Sequence, residues 1–418
     1  MLIKMQVGEQ DRGELQVNVT DSDNAPIRDA RVTISEPETA INPNSPIERL
    51  ETDVSGQTQI VDLNTPPLEY SLNENNENMP YANYNIQIEA PGYETENISN
   101  VEILPDSLSL QDVRMRRREG EQVENIDIDP HTLYAEYPEK IPEDEIKDVN
   151  EPGEIVLSRV VIPEYVVVHN GTPSSNARDY YVTYKDYIKN VAPSEIYATR
   201  PRATIEANVL AIMSFTLNRV YTEWYRNKGY DFTITSSTAY DQKWIYGRNI
   251  FQSISDVVEE MFQNYLSRPN VRQPILTQYC DGQKVSCPSW MTQWGSKSLG
   301  DQGYSAIEIL RYFYGSNMYI NTAEAVSGIP ASWPGYNIGI GSSGQNVYQI
   351  QKQLARIAKA YPAIPSIVPD GIYGPKTKAA VEKFQAVFGL PVSGVVDYNT
   401  WYEISNIYVA VTRIAELA

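Results

Sequence analysis

The chain has 418 residues and a formal net charge of -20, from 34 Lys and Arg against 54 Asp and Glu. Residues 1–150 hold 32 acids and 11 bases and residues 151–418 hold 22 and 23, so no basic face is offered to phosphate and nucleic acid is excluded as a partner. No run of 18 apolar residues occurs, which predicts no membrane span, and "MLIKMQVGEQDRGELQV" lacks the apolar core of a secretory signal.

Residues 12–118 alternate polar and apolar. Leu15, Val17 and Val19 share one face; Val32 and Ile34 follow the turn in "DNAPIRDA"; Tyr84, Ile86 and Ile88 precede Pro91 and Gly92; Val101, Ile103, Val113 and Met115 continue the pattern. Period-2 spacing with regular turns predicts a small antiparallel β-sandwich over 1–118. Residues 119–153 are rich in acids, hold four prolines and carry few large aliphatics, the composition of an exposed acidic linker.

Residues 154–325 mix strand and helix and predict an α/β (α+β) domain. "VIPEYVVVHNG" reads as one strand. A helix opens at Pro201 and closes at Gly229, with Leu210, Met213, Leu217, Tyr221 and Trp224 as one apolar stripe. A second helix is predicted over 251–268, stopped by Pro269, then a strand in "QPILTQYC", then a helix from Ser305 to Gly315 with Glu308 completing a capping box. Residues 326–418 carry a three-helix unit: Val347, Ile350, Leu354 and Ile357 form a stripe, Pro375 starts a second helix, and Asp397 caps a third containing Trp401.

Three resemblances follow from these residues. The turn "TDVSGQT" and the strand "YNIQIEAPGY" resemble carboxypeptidase-regulatory-like, transthyretin-like sandwiches. The C-terminal run of Val347, Ile350, Gln351 and Leu354, then "DGIYGPKTKAAVEKFQAVFGLPVSGVVDYNTW", resembles the peptidoglycan-binding domain type 1 family. That resemblance implies binding of cell-wall glycan or stem peptide rather than cleavage, with Asp370, Tyr373 and Gln385 in the binding module and Tyr373 best placed for contact. "KDYIKNVAPSEIYATRPRATIEANVLAIMSFTLNR", "STAYDQKWIYG" and "MTQWGSKSLGDQGYSAIEILRYFYG" resemble the stage II sporulation protein D family. The order of the four parts is that of the spore cortex-lytic enzymes.

The sporulation-family resemblance implies that Glu195 is the acid/base of a lytic transglycosylase. One carboxyl group suffices for that reaction, because the 6-hydroxyl of N-acetylmuramic acid replaces water as nucleophile; a hydrolase needs a second carboxylate. Glu195 is therefore expected to start protonated in an apolar setting supplied by Val191, Ile196 and Tyr197. Tyr240, Gln242, Gln293 and Trp294 are the expected substrate-binding residues, since an indole stacks on a sugar and amides bond N-acetyl groups. Two other readings stand: a non-catalytic wall-binding protein that stimulates another lytic enzyme, and a hydrolase using Glu206, Asp231 or Asp241 as second carboxylate. With two Cys and two His, no metal and no cofactor are expected, and Cys280 and Cys287 form a disulfide across a loop or remain thiols.

The resemblance further implies a precursor that acts on cortex peptidoglycan in the spore during germination. It implies synthesis in the mother cell and activation by a germination serine protease. The expected cut lies between Glu119 and Val156, and the acidic strap is expected to lie across the cleft, with "LYAEYP" supplying aromatic contacts.

Overall fold

The computed structural model describes residues 11–22, 24–37, 46–118, 123–147, 160–163, 165–323, 325–326 and 336–412. It is a mixed α+β, multidomain protein with several sheets and a helical C-terminal region.

Alternation builds the first unit. Strands β1 (Asp11–Asp21), β2 (Arg31–Ser35), β3 (Pro46–Glu51), β4 (Val61–Thr65), β5 (Ala82–Glu89), β6 (Thr95–Ile103), β7 (Leu108–Met115) and β8 (Val123–Asp127) form two sheets, ordered β4-β1-β7 and β3-β2-β5-β6-β8. Helix α1 (Glu69–Leu72) follows β4. Leu15, Val17, Val19, Val32, Ile34, Ile86, Ile88, Val101 and Ile103 turn inward into one apolar core. Successive side chains on a strand face opposite ways, so every second residue reaches that core.

The middle of the chain also contributes to this unit. Strand β13 (Ile250–Phe251) extends the first sheet by pairing antiparallel with β7, and Ile245 joins the core between the sheets. The junction is buried and polar. Arg248 Nη2 donates to Glu102 Oε2 at 2.8 Å and to the Pro193 carbonyl at 2.6 Å; Asn249 Nδ2 donates to the Glu102 carbonyl and to Ser109 Oγ.

The exposed linker expected over 119–153 is not what its described residues form. Val123–Asp127 are β8, parallel to β6, and β1 is parallel to β7, so the sheets expected to be antiparallel are mixed. Residues 128–147 then cross the middle unit as a strap in which Ile128, His131, Leu133, Tyr137, Lys140 and Lys147 are buried. Average composition hid a few well-spaced residues that pack. Residues 119–122 and 148–156, the two ends of the expected cut region, lie outside the described residues.

The root of this strap carries an acid pair. Glu96 on β6 lies opposite Glu124 on β8 and is 3 % exposed. Burial first, then Glu124, push its carboxyl from 4.5 up to about 7, against the pull of Arg116. A raised carboxyl pKa means that the folded state holds the proton more tightly. The stabilisation is complete below about pH 4.5 and is lost as pH rises through about 7, amounting to about 3 kcal/mol. Glu96→Gln should flatten that part of the stability–pH curve, read as urea midpoints from pH 4 to 8; an unchanged slope would remove Glu96 as its source.

Helix α3 (Arg202–Tyr221) is buried along almost its whole length, and α2 (Tyr184–Glu195), α4 (Gln252–Met261), α5 (Gln293–Asp301) and α6 (Ala306–Tyr314) pack near it. The helix expected to reach Gly229 ends at Tyr221: Glu223 takes φ 47° and a short 3-10 turn leads to Gly229 at φ 84°. The helix expected over 251–268 stops at Met261. Tyr265 and Leu266 belong to β14 (Asn264–Ser267), antiparallel to β17 (Tyr319–Thr322), and the Leu266 amide donates to Ser214 Oγ. A short apolar run fits both periods, and tertiary bonding decides.

The strand expected in "VIPEYVVVHNG" is two. β9 (Val161–Ile162) pairs with β18 (Ala325–Val326), and β10 (Tyr165–His169) lies between β11 (Asp179–Thr183) and β12 (Ile234–Thr235). Pro163, which has no N–H to pair, stands between them. In "QPILTQYC" only β15 (Tyr279–Cys280) is strand, parallel to β16 (Met291–Thr292). Cys280 and Cys287 form a disulfide. The capping box of Ser305 and Glu308 is present at α6.

The C-terminal unit has helices α7 (Gln345–Ala360), α8 (Pro375–Val387) and α9 (Tyr398–Thr412), the last longer than the short helix expected. Its loops are held by two buried glutamines. Gln351 Oε1 accepts from the Asp370 and Gly371 amides, and its Nε2 donates to the Ile372 carbonyl and Thr377 Oγ1. Gln385 Oε1 accepts from the Ser393 and Gly394 amides, and its Nε2 donates to the Val395 carbonyl and Thr400 Oγ1.

Candidate functional site

Glu195 is the last residue of α2 and has no exposed surface. Asn190, one turn and a residue earlier, exchanges two hydrogen bonds with Ile245: Nδ2 to the carbonyl at 2.8 Å and the Ile245 amide to Oδ1 at 2.9 Å. That clamp fixes the segment 243–245 against the helix and brings the Lys243 amide to Glu195 Oε1 at 2.9 Å. From the other side, Thr292 caps α5 by accepting from the Gly295 amide. Gln293 is thereby the first helical residue, and its Nε2 donates to Glu195 Oε2 at 2.9 Å. Gln293 Oε1 is buried and has no hydrogen-bond partner among the described residues. Val191, Ile196 and Tyr197, close to Glu195 in the sequence, are buried, with Tyr197 against the His131 ring.

The strap closes over it. Tyr137 Oη stands 3.5 Å from Glu195 Oε2; burial first, then the Glu195 charge, push its phenol well above the usual range. Lys140 is buried, donates to the Asp241 carbonyl at 2.8 Å and lies 4.4 Å from the Tyr279 ring centre; burial lowers its pKa. Thr132 Oγ1 donates to the Ser194 carbonyl at 2.6 Å. Lys284, in the disulfide loop, donates to the carbonyls of Leu133, Tyr134 and Ala135. Further along, Glu143 meets Arg219 through two hydrogen bonds of 3.0 and 2.5 Å.

The expected substrate-binding residues separate into two groups. Gln293 touches Glu195 directly. Trp294 is 8 % exposed and has the Arg200 guanidinium 3.9 Å from its ring centre. Burial lowers the Arg200 pKa to about 10, and among the described residues its three side-chain nitrogens have no hydrogen-bond partner. Tyr240 is half-buried and lines a cavity of about 520 Å³ with Trp224, Tyr225, Tyr230 and strap residues. Gln242 does not face a cleft. It is fully buried, accepting from Tyr187 Oη and Thr216 Oγ1 and donating to the Ile212 carbonyl, which ties its loop to α3.

In the C-terminal unit, Tyr373 is not on the surface. It is 1 % exposed and its hydroxyl donates to the Gly394 carbonyl. Asp370 and Gln385 likewise shape loops, Asp370 by accepting from the Ile372 amide and Gln351. An aromatic with a polar tip suits a core–loop junction as well as a ligand face, and sequence alone does not separate the two.

The carboxylates considered for a hydrolase are otherwise engaged or outward. Asp241 is fully buried and accepts from Arg219 Nε, Tyr225 Oη, and the Thr235 amide and hydroxyl. Glu206 pairs with Arg202, and Asp231 is exposed. Asp281, also buried nearby, accepts from the Lys284 and Val285 amides. His131 is buried in the strap against the Tyr197 ring, and His169 pairs with Asp179 and stacks on Phe232. Among the described residues no three His, Cys, Asp or Glu side chains are grouped as metal ligands, and no helix is long and apolar enough to cross a membrane.

Sequence reasoning singled out "LYAEYP" as a possible cover but missed Lys140, Glu143, Lys243, Arg219 and Lys284. An unremarkable charged residue becomes visible only when the fold supplies its partner.

Residues 343–404 match the family described as "Putative peptidoglycan binding domain". A 74-residue stretch is 38% identical to the zinc D-Ala-D-Ala carboxypeptidase of Streptomyces albus G, covering 18% of this chain and 27% of that protein. The chain thus spans about a quarter of that relative's length. Among solved structures, catechol 1,2-dioxygenase of Acinetobacter radioresistens is similar over 28% of this chain and 58% of that one, at 13% identity and TM-score 0.19. The TIE protein of Bacillus anthracis is similar over 26% and 17%, at 13% identity and TM-score 0.17. Likenesses this low carry no argument. The family match and the carboxypeptidase likeness support a cell-wall-related protein, with a peptidoglycan-binding domain in its C-terminal helical region.

Proposed function

We propose that this chain is the precursor of a spore cortex-lytic enzyme of the SleC type. In this reading it is a lytic transglycosylase that cleaves between N-acetylmuramic acid and N-acetylglucosamine and leaves a 1,6-anhydro end. The observation that carries the reading is Glu195: buried, held by the Lys243 amide and Gln293, and covered by Tyr137 of the strap. The nearby carboxylates Asp241 and Asp281 are each engaged by local donors. That supports a reaction run by one carboxyl group with the substrate's own hydroxyl as nucleophile.

In this mechanism Glu195 is the acid that gives a proton to the glycosidic oxygen as the bond to C1 breaks. The muramic 6-hydroxyl then closes on C1, and the carboxylate takes up the hydroxyl proton. Gln293 holds the carboxyl group in place through Nε2, and its unpartnered Oε1 offers an acceptor for a substrate N–H or O–H. With Tyr137 and Lys140 in place the carboxyl group is closed off, so the intact chain is silent. A germination serine protease cutting between Glu119 and Val156 frees the strap's attachment and starts lysis in the spore. The peptidoglycan-binding domain keeps the catalytic unit at its polymer by raising its local concentration.

The test is digestion of purified cortex peptidoglycan by the intact chain and by a full chain carrying an introduced protease site within residues 148–159, cut before assay. The expected result is release by the cut protein only, with ends that borohydride does not reduce. Reducible muramic ends would overturn the transglycosylase assignment, and equal rates before and after cutting would overturn the precursor.

A further inference from the structure

This inference rests on the reading that the strap covers the cleft of Glu195, and it concerns what lies beneath the strap's far end. Arg219 has a side chain with no exposure, and the strap supplies the carboxylate that meets one edge of it. Its Nε is taken by Asp241 at 2.7 Å, and Asp241 is fixed in turn by Tyr225 and Thr235. Nη2 also donates to the Tyr240 carbonyl at 3.2 Å. The remaining two-nitrogen edge meets both oxygens of Glu143, Nη1 to Oε2 at 3.0 Å and Nη2 to Oε1 at 2.5 Å. A planar guanidinium presenting two parallel N–H groups is the geometry that reads a carboxylate.

The walls round this fork suit a sugar or a peptide. Trp224, Tyr225, Tyr230 and Tyr240 line the adjoining cavity of about 520 Å³, whose other side is strap residues Ile141, Glu143, Asp144 and Lys147. Lys147 bonds Glu143 and lies 4.3 Å from the Trp224 ring centre, so it covers the indole face from the strap side. Lys228 lies over the same ring from the body of the protein. When the strap leaves, Arg219 keeps its charge, loses its bidentate partner, and stands in an aromatic trough with Lys228 beside it.

We propose that Arg219 and the walls Trp224, Tyr230 and Tyr240 form a subsite for a carboxylate of the stem peptide borne by muramic acid, and that Glu143 occupies this subsite in the intact chain. The site discriminates muramic residues carrying a free peptide carboxylate from those carrying none, because a buried fork left unpaired is costly. Burial raises the Glu143 pKa, but Arg219 and then Lys147 outweigh it and hold the carboxyl below the usual range, as a charged occupant of the fork requires.

The experiment uses the full chain with Glu143→Gln, which keeps the shape of the strap and removes its charge. The probes are a soluble disaccharide with a free tetrapeptide, the same muropeptide with its carboxylates amidated, and tetra-N-acetylchitotetraose, titrated calorimetrically. The Glu143→Gln chain should bind the free muropeptide about tenfold more tightly than the unsubstituted chain does, and about tenfold more tightly than either neutral probe. Arg219→Lys added to Glu143→Gln should abolish the preference; where that pair fails to fold, the amidated muropeptide gives the same decision. Equal affinity of the Glu143→Gln chain for all three probes, or no gain over the unsubstituted chain, overturns the subsite. Cleavage is not read here, so the subsite fails or stands separately from Glu195: loss of preference with cleavage intact sinks only the subsite, and preference without cleavage sinks only the enzyme.

Discussion

Replacing Glu195 by Gln leaves the chain folded and lowers glycan cleavage by the cut protein by about 10²–10⁴-fold. The substitution is close to isosteric. Its amide oxygen can still accept from the Lys243 amide, and its new N–H can donate to Gln293 Oε1 once the Gln293 amide turns over. What is lost is a proton that can be given to the glycosidic oxygen and taken back from the 6-hydroxyl, because an amide does neither near neutral pH. The measurement is anhydro-muramic release from cortex peptidoglycan, with a thermal melt on the same sample. A melt within about 2 °C of the parent and a fallen rate identify an acid/base; a parent-like rate would end the assignment, and a fallen melt would make Glu195 structural.

The largest stability effect is expected at Arg248. Its guanidinium and Glu102 are buried together where the middle of the chain adds a strand to the first sheet. Burial raises the Glu102 pKa, and Arg248 opposes that rise, so Glu102 depends on this one cation. Arg248→Ala should destabilise the chain by about 3–5 kcal/mol, the cost of leaving one member of a buried pair alone. The double change Glu102→Gln with Arg248→Met should recover much of that loss, since neither partner then carries an uncompensated charge. Urea unfolding of the three proteins decides it. If the single and double variants lose the same stability, the two groups are not coupled.

The legible parts of the sequence were those where a period repeats. Leu15, Val17 and Val19 announced a half-buried strand, and the Ser305–Glu308 box announced a helix start, because local geometry alone dictates both. Boundaries failed where two periods fit the same residues, as at Tyr265 and Leu266, and only the bond to Ser214 settles the outcome. The neighbourhood of Glu195 was legible in part: Gln293 reaches it, whereas Gln242 and Tyr373 are polar groups used to join segments inside the protein. The strap was the least legible element. Its acids and prolines outweigh Leu133, Tyr137 and Lys140 in any average, yet those three residues meet the body through burial and long-range bonds that leave no local pattern.

The two buried glutamines of the C-terminal unit work as one fastening used at two places. Gln351 on α7 and Gln385 on α8 make the same bonds to the loops that follow them: two consecutive amides into Oε1, then a carbonyl and a threonine hydroxyl from Nε2. Each loop ends in a threonine that belongs to the next helix, Thr377 on α8 and Thr400 on α9. The unit thus uses one fastening twice over loops of different length, since the first amide lies 19 residues beyond Gln351 but 8 beyond Gln385, and α8 serves both, closing the first loop with Thr377 and opening the second with Gln385.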